Sequence, residues 1–101
     1  MTNKSLHTKV NNMLSDLLPD YLSRRKADVE RLQLAHQEKD YQTIKKVCHT
    51  IRGSAITFGF PGLYFICSQM EEAANQQNED ELKDSLSLIA DESNWKNLKL
   101  H

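Results

Sequence analysis

The chain has 101 residues, a net charge of −1, and 39% hydrophobic against 27% charged residues. Three glycines and two prolines are too few turn residues for a sandwich or barrel, the chain is too apolar to be disordered, and its charge demands neither nucleic acid nor a membrane. About 100 helical residues leave little room for both a nucleotide site and a substrate site, which rules out much enzymology.

No apolar run is long enough to span a bilayer. The start, M-T-N-K-S-L-H, lacks the apolar stretch of a signal peptide. The expectation is a cytoplasmic, all-α, single domain over 1–101, with its core at about 6–92 and a tail at 93–101.

Apolar spacing predicts five helical segments. The first runs from about Leu6 to Leu17, where Leu6, Val10, Met13, Leu14 and Leu17 form one stripe. It is short and expected to pack as a lid. The second opens at Pro19, since proline suits a first helical position. Leu22, Val29 and Leu32 mark its inner face, and it ends near Gln37.

The third segment runs from about Asp40 to Phe58. Tyr41, Ile44, Cys48, Ile51, Ala55 and Phe58 recur at alternating steps of three and four, the seam of a bundle helix. Gly59 ends it. Pro61 stands near the front of the fourth segment, whose buried face is Leu63, Ile66, Cys67, Met70 and Ala74. Asn78 is a good N-cap for the fifth, and Glu79, Asp80 and Glu81 suit the positive end of its dipole. Leu82, Leu86, Ile89 and Ala90 carry that helix inward. Four long amphipathic helices with short connections make an antiparallel four-helix bundle, here with an additional short N-terminal helix. Trp95, in a tail of weak periodicity, is expected to pack back on the bundle.

Cys48 and Cys67 fit no zinc pattern and no disulfide framework, and read as small buried hydrophobes. Of four histidines, His7, His36 and His101 have no partners at ligand spacing, so no built-in metal site is expected. They read as ordinary surface or half-buried residues.

His49 is different. At 100° per residue it lies about 130° from the centre of the third helix's seam, facing solvent in mid-helix. Its helical neighbours are Lys45, Lys46, Arg52, Gly53 and Ile56. Gly53 costs about 1 kcal/mol relative to alanine in a helix interior. It sits one turn above His49 on the same face, far from the seam, where it clears an approach to the ring. Lys45 and Arg52 surround the ring with positive charge, which favours its neutral, nucleophilic form and suits an anion carried on it. A bare charge run is a solvated face. Beside an exposed histidine and a costly glycine it reads as the surround of a reactive group. Ile56 adds an exposed apolar residue at the rim. The physics proposes a nucleophilic or anion-carrying histidine without naming the anion.

The stretch H-T-I-R-G-S-A-I-T-F-G, His49 to Gly59, resembles the signature of histidine-containing phosphotransfer (Hpt) domains, roughly H-x-x-K-G-[SA]-[SA]-x-x-x-G. The likeness extends over about residues 10–90, through L-P-D-Y-L-S-R-R and L-Y-F-I-C-S-Q-M-E-E-A. It implies that His49 carries a phosphoryl group between response-regulator receiver domains, with a hybrid sensor histidine kinase upstream. Arg52 stands at the family's basic position, usually Lys, and Gly53 at the small position that admits the receiver. Ser54 and Gly59 match structural positions. Glu71 falls where the family often places Gln or Glu, able to orient the imidazole. The chain itself needs no cofactor, Mg²⁺ belonging to the receiver, and a monomer is the default.

Other readings are weaker. A sensor-kinase fragment places an acidic residue after its histidine and has a Gly-rich ATP region; here Thr50 follows and no such region exists. A module that sequesters receivers without phosphotransfer leaves the motif histidine unexplained. A metal- or ligand-binding bundle lacks ligand spacing.

Overall fold

The computed structural model describes residues 2–96, with side chains from residue 12 onward. Four helices, α1 (Thr2–Gln37), α2 (Tyr41–Ala55), α3 (Pro61–Gln76) and α4 (Glu79–Ala90), are followed by a 3-10 turn, Glu92–Asn94. Adjacent pairs α1–α2, α2–α3, α3–α4 and α4–α1 pack together, closing a four-helix bundle with α2 diagonal to α4. No strand occurs among the described residues, and no described helix is long and apolar enough to cross a membrane.

The first two expected helices are one. Pro19 lies inside α1, where it removes the hydrogen bond to the Ser15 carbonyl. Ser15 and Pro19 are both exposed, so water can take that bond. The break expected at Pro19 lacked a second signal, since Leu18 before it is a poor N-cap. At 1.5 Å per residue, the 36 residues of α1 span about 54 Å, against about 18–24 Å for the 12–16 residues of the other helices. The expected lid is not formed by the described residues of the first segment: Met13 is 63% and Leu17 52% exposed. Leu6, Val10 and His7 lie outside the described side chains, as do Asn97 to His101.

The core follows the predicted seams. Ile44, Cys48, Ile51 and Ala55 of α2 are buried against Leu63, Ile66, Cys67, Met70 and Ala74 of α3, with Leu82, Leu86 and Ile89 of α4 and Leu32 of α1. Tyr41 and Phe58, Leu22 and Val29 are only partly buried. Ala90 is exposed, because the helix ends there and the chain turns away. Both cysteines are fully buried thiols. A hydrogen bond to Cys67 and burial push the Cys48 thiol far up, the setting of an inert cysteine.

The starts of α2 and α4 are capped as their residues dictate. The Asp40 carboxylate accepts from the Thr43 amide (3.1 Å) and hydroxyl (2.6 Å), and Asn78 from the Glu81 amide (3.2 Å). After α2 the hydrogen-bonded turns run on to Phe58: Gly59 N–H reaches the Ile56 carbonyl and Phe60 N–H the Ala55 carbonyl. That is a Schellman close, with Gly59 at φ +86° in the left-handed position. The same close ends α1 at Lys39 (φ 57°) and α3 at Gln77 (φ 54°), without glycine.

Trp95 packs back as expected. Its ring is buried, meets Phe60 edge-on at 5.5 Å, and its indole N–H donates to the Ile89 carbonyl at 3.1 Å. Phe60 continues a stack with Tyr21 (5.9 Å), which lies on Phe58 (4.0 Å). This aromatic plug closes the end of the bundle where α2 turns into α3.

Candidate functional site

α2 presents one face to α1 and α3 and the opposite one to water. His49 is on the open face, with its side chain 78% exposed. Gly53, one turn on, is exposed, and a Cβ built there meets nothing within 4 Å. No packing among the described residues therefore requires the glycine. Ile56 is also exposed, at 57%. Lys46 is exposed and Lys45 partly so.

Glu71 reaches His49 from α3. Its Oε2 stands 3.7 Å from His49 Nδ1, longer than a hydrogen bond but close enough to act as a charge. Its Oε1 is taken by Arg52 Nη1. The cation expected to face the ring is thus turned onto a carboxylate instead. Arg52 Nη2 lies 3.4 Å from the Tyr64 hydroxyl, and the guanidinium sits over the Tyr64 ring at 5.2 Å. Arg52 Nε is buried without a partner. Tyr64 and then Glu71 hold the Arg52 charge more firmly, and Arg52 in return pulls the Tyr64 phenol below its ordinary range.

Of the residues singled out from sequence, His49, Arg52 and Glu71 thus form one connected group, with Gly53 and Ile56 further along the same open face. Lys45 lines a polar groove with Arg52, Glu71 and Ser68 on the α3 side. Lys46 lies on the other side, in a small groove shared with Arg25 and Arg31 of α1. The two lysines flank α2 rather than cluster.

Spacing within one helix missed the partners on others. Tyr64 stands outside the predicted seam of its helix and is partly buried against the core. Arg25, on α1, donates from Nη1 to Ser54 Oγ (3.2 Å), pairs with Asp28 (2.9 Å) and covers the Tyr21 ring (4.5 Å). Ser54 Oγ donates to the Ile51 carbonyl. Its one proton is then spent, so the Tyr21 hydroxyl at 3.0 Å must be a donor to it. Ser54 is therefore a tether between α2 and α1, directly behind the open face. Beside it a groove of about 380 Å³ runs between α1 and α2, with Leu17 and Phe58 among its walls and Thr50 next to His49.

The group presents an exposed imidazole with Nδ1 nearest the Glu71 carboxylate. Glu71 favours the proton on Nδ1, which leaves the Nε2 lone pair free to attack an electrophile. A model of the Hpt domain family matches residues 16–96 of the chain. No curated protein and no solved structure matches it.

Proposed function

The chain belongs to the Hpt domain family, and from that premise we propose that His49 takes a phosphoryl group from the aspartyl phosphate of one receiver domain and passes it to an aspartate of another. Histidine phosphotransfer in phosphorelays is the family's role. Its members work with receiver domains and kinases, and are carriers rather than kinases.

The observation that carries the reading is the exposed imidazole of His49 with Nδ1 toward Glu71 and open space over Gly53. In the step, the Nε2 lone pair attacks phosphorus, the bond from phosphorus to the aspartyl oxygen breaks, and its electrons leave with the receiver's carboxylate. The ring keeps its Nδ1 proton and gains positive charge, which the Glu71 carboxylate offsets. Most of the acceleration comes from positioning and charge. The receiver brings its own Mg²⁺ and acidic pocket. Lys45 and Lys46 meet the phosphoryl oxygens or acidic groups around them from either side of α2. Ile56 and the α1–α2 groove at Leu17 give the receiver apolar footing, and Gly53 lets it approach.

The test is to mix the protein with a phosphorylated receiver and follow the label. The expected result is an acid-labile, base-stable phosphate on the wild type and none on His49→Gln. A folded wild type that binds the receiver and never takes up label would make the protein a sequestering module instead.

A further inference from the structure

Arg52 occupies the position where the resemblance leads one to expect lysine. The structure gives a reason for the arginine. Its guanidinium is held at two points from α3, by Glu71 Oε1 and by the Tyr64 hydroxyl, and lies over the Tyr64 ring. Tyr64 and Glu71 are seven residues apart, two turns on one face of α3, about 10 Å along the axis. They bracket the guanidinium between them. A lysine offers one point charge and cannot fill both stations; the planar fork can.

The bracket matters because Glu71 is shared. One oxygen faces His49 Nδ1 and the other holds Arg52. An unheld carboxylate on a helix surface rotates among rotamers. Anchored at Oε1 by Arg52, it keeps Oε2 turned to the ring. Tyr64 is what keeps Arg52 from following water instead: its hydroxyl lies 3.4 Å from Nη2 and its ring lies under the guanidinium, and the contact holds the Arg52 charge while pulling the phenol down.

We propose that Tyr64 is a positioning residue for phosphotransfer, acting through Arg52 and Glu71 to hold the proton of His49 on Nδ1 and leave Nε2 as the attacking nitrogen. The proposal deepens the carrier reading and rests on it for its consequence, though not for its geometry.

The test separates the two claims. Nitrogen-15 spectra of the whole chain, with labelled histidine and no phosphoryl donor, report the His49 tautomer; they are taken at about pH 8.5, where an ordinary histidine is neutral. The wild type should show the Nδ1–H form. Tyr64→Leu should move the balance toward Nε2–H and slow transfer from a phosphorylated receiver about three-fold, the scale of one exposed cation–π contact. Tyr64→Phe keeps the ring contact but loses the hydroxyl that holds Arg52, and should fall between the wild type and Tyr64→Leu in both. Arg52→Lys should behave like Tyr64→Leu, and serves in its place if that variant does not fold. An unchanged tautomer balance in a folded Tyr64→Leu or Arg52→Lys overturns the proposal. A tautomer shift in a protein that never accepts phosphate supports the positioning role and removes the carrier reading alone.

Discussion

Two clusters in this protein are built from the same four ingredients. One holds His49, Glu71, Arg52 and Tyr64 on the open side of α2 and α3. The other holds His36, Glu79, Lys39 and Tyr41 where the end of α1 meets the starts of α2 and α4. In the second cluster Glu79 is the hub. It accepts from His36 Nε2 at 2.6 Å, from the Tyr41 hydroxyl at 2.7 Å and from Lys39, and the His36 side chain is only 17% exposed. Lys39 first, then Tyr41 and His36, pull the Glu79 carboxyl down to about 2. In the first cluster the carboxylate grips only the arginine, and the histidine stands clear at 3.7 Å. The difference teaches what residue types alone cannot. A histidine locked by a short bond at Nε2 is a clasp between helices, while one approached only at Nδ1 keeps a nitrogen for chemistry.

The largest expected effect tests that distinction head on. His49→Gln should abolish phosphate uptake from a receiver, while His36→Gln should leave uptake in place and lower thermal stability. Loss of labelling in a folded His36→Gln would erase the contrast. Next in size, Gly53→Gln should slow transfer by about ten-fold or more by covering the ring, yet raise stability by about 0.5–1 kcal/mol through helix propensity; equal transfer rates would mean that the open space over Gly53 is not used.

The clasp should announce itself in acid. Because the folded carboxyl of Glu79 lies below the ordinary value of 4.5 at about 2, its contribution is present above about pH 4.5 and is lost as pH falls toward 2. Glu79→Gln should lower the melting temperature near neutral pH and flatten its fall across that window. An unaltered acid profile would show the clasp to be slack. The smallest effect is at Gln77, left-handed at φ 54° without glycine: Gln77→Gly should stabilise by a few tenths to about 1 kcal/mol in a denaturant titration.

Much of this was legible before any fold. The 3-4 seam of α2 placed Ile44, Cys48, Ile51 and Ala55 inside and His49 outside, because one helix carries its own geometry. Gly59 and Asn78 marked helix ends for equally local reasons, a left-handed backbone and an amide in need of an acceptor. Pro19 misled, since a proline reads the same at a helix start as at an exposed interior position. Lys39 and Gln77 gave no sign of closing helices, as neither residue favours the left-handed conformation it adopts.

What the sequence determined by itself was therefore every feature governed by neighbours within about one or two helical turns: the buried stripes, most of the caps, and the exposure of His49 beside Gly53. What only the tertiary structure decided was which charges meet. Arg52 reads from its own helix as a cation for the ring. Packing α3 against α2 delivers Glu71 and Tyr64 to it and turns it away. Likewise nothing near His36 in the chain predicts Glu79, 43 residues on. Side-chain pairing at such separations follows from how rigid helices pack, and a single helix's periodicity does not contain it.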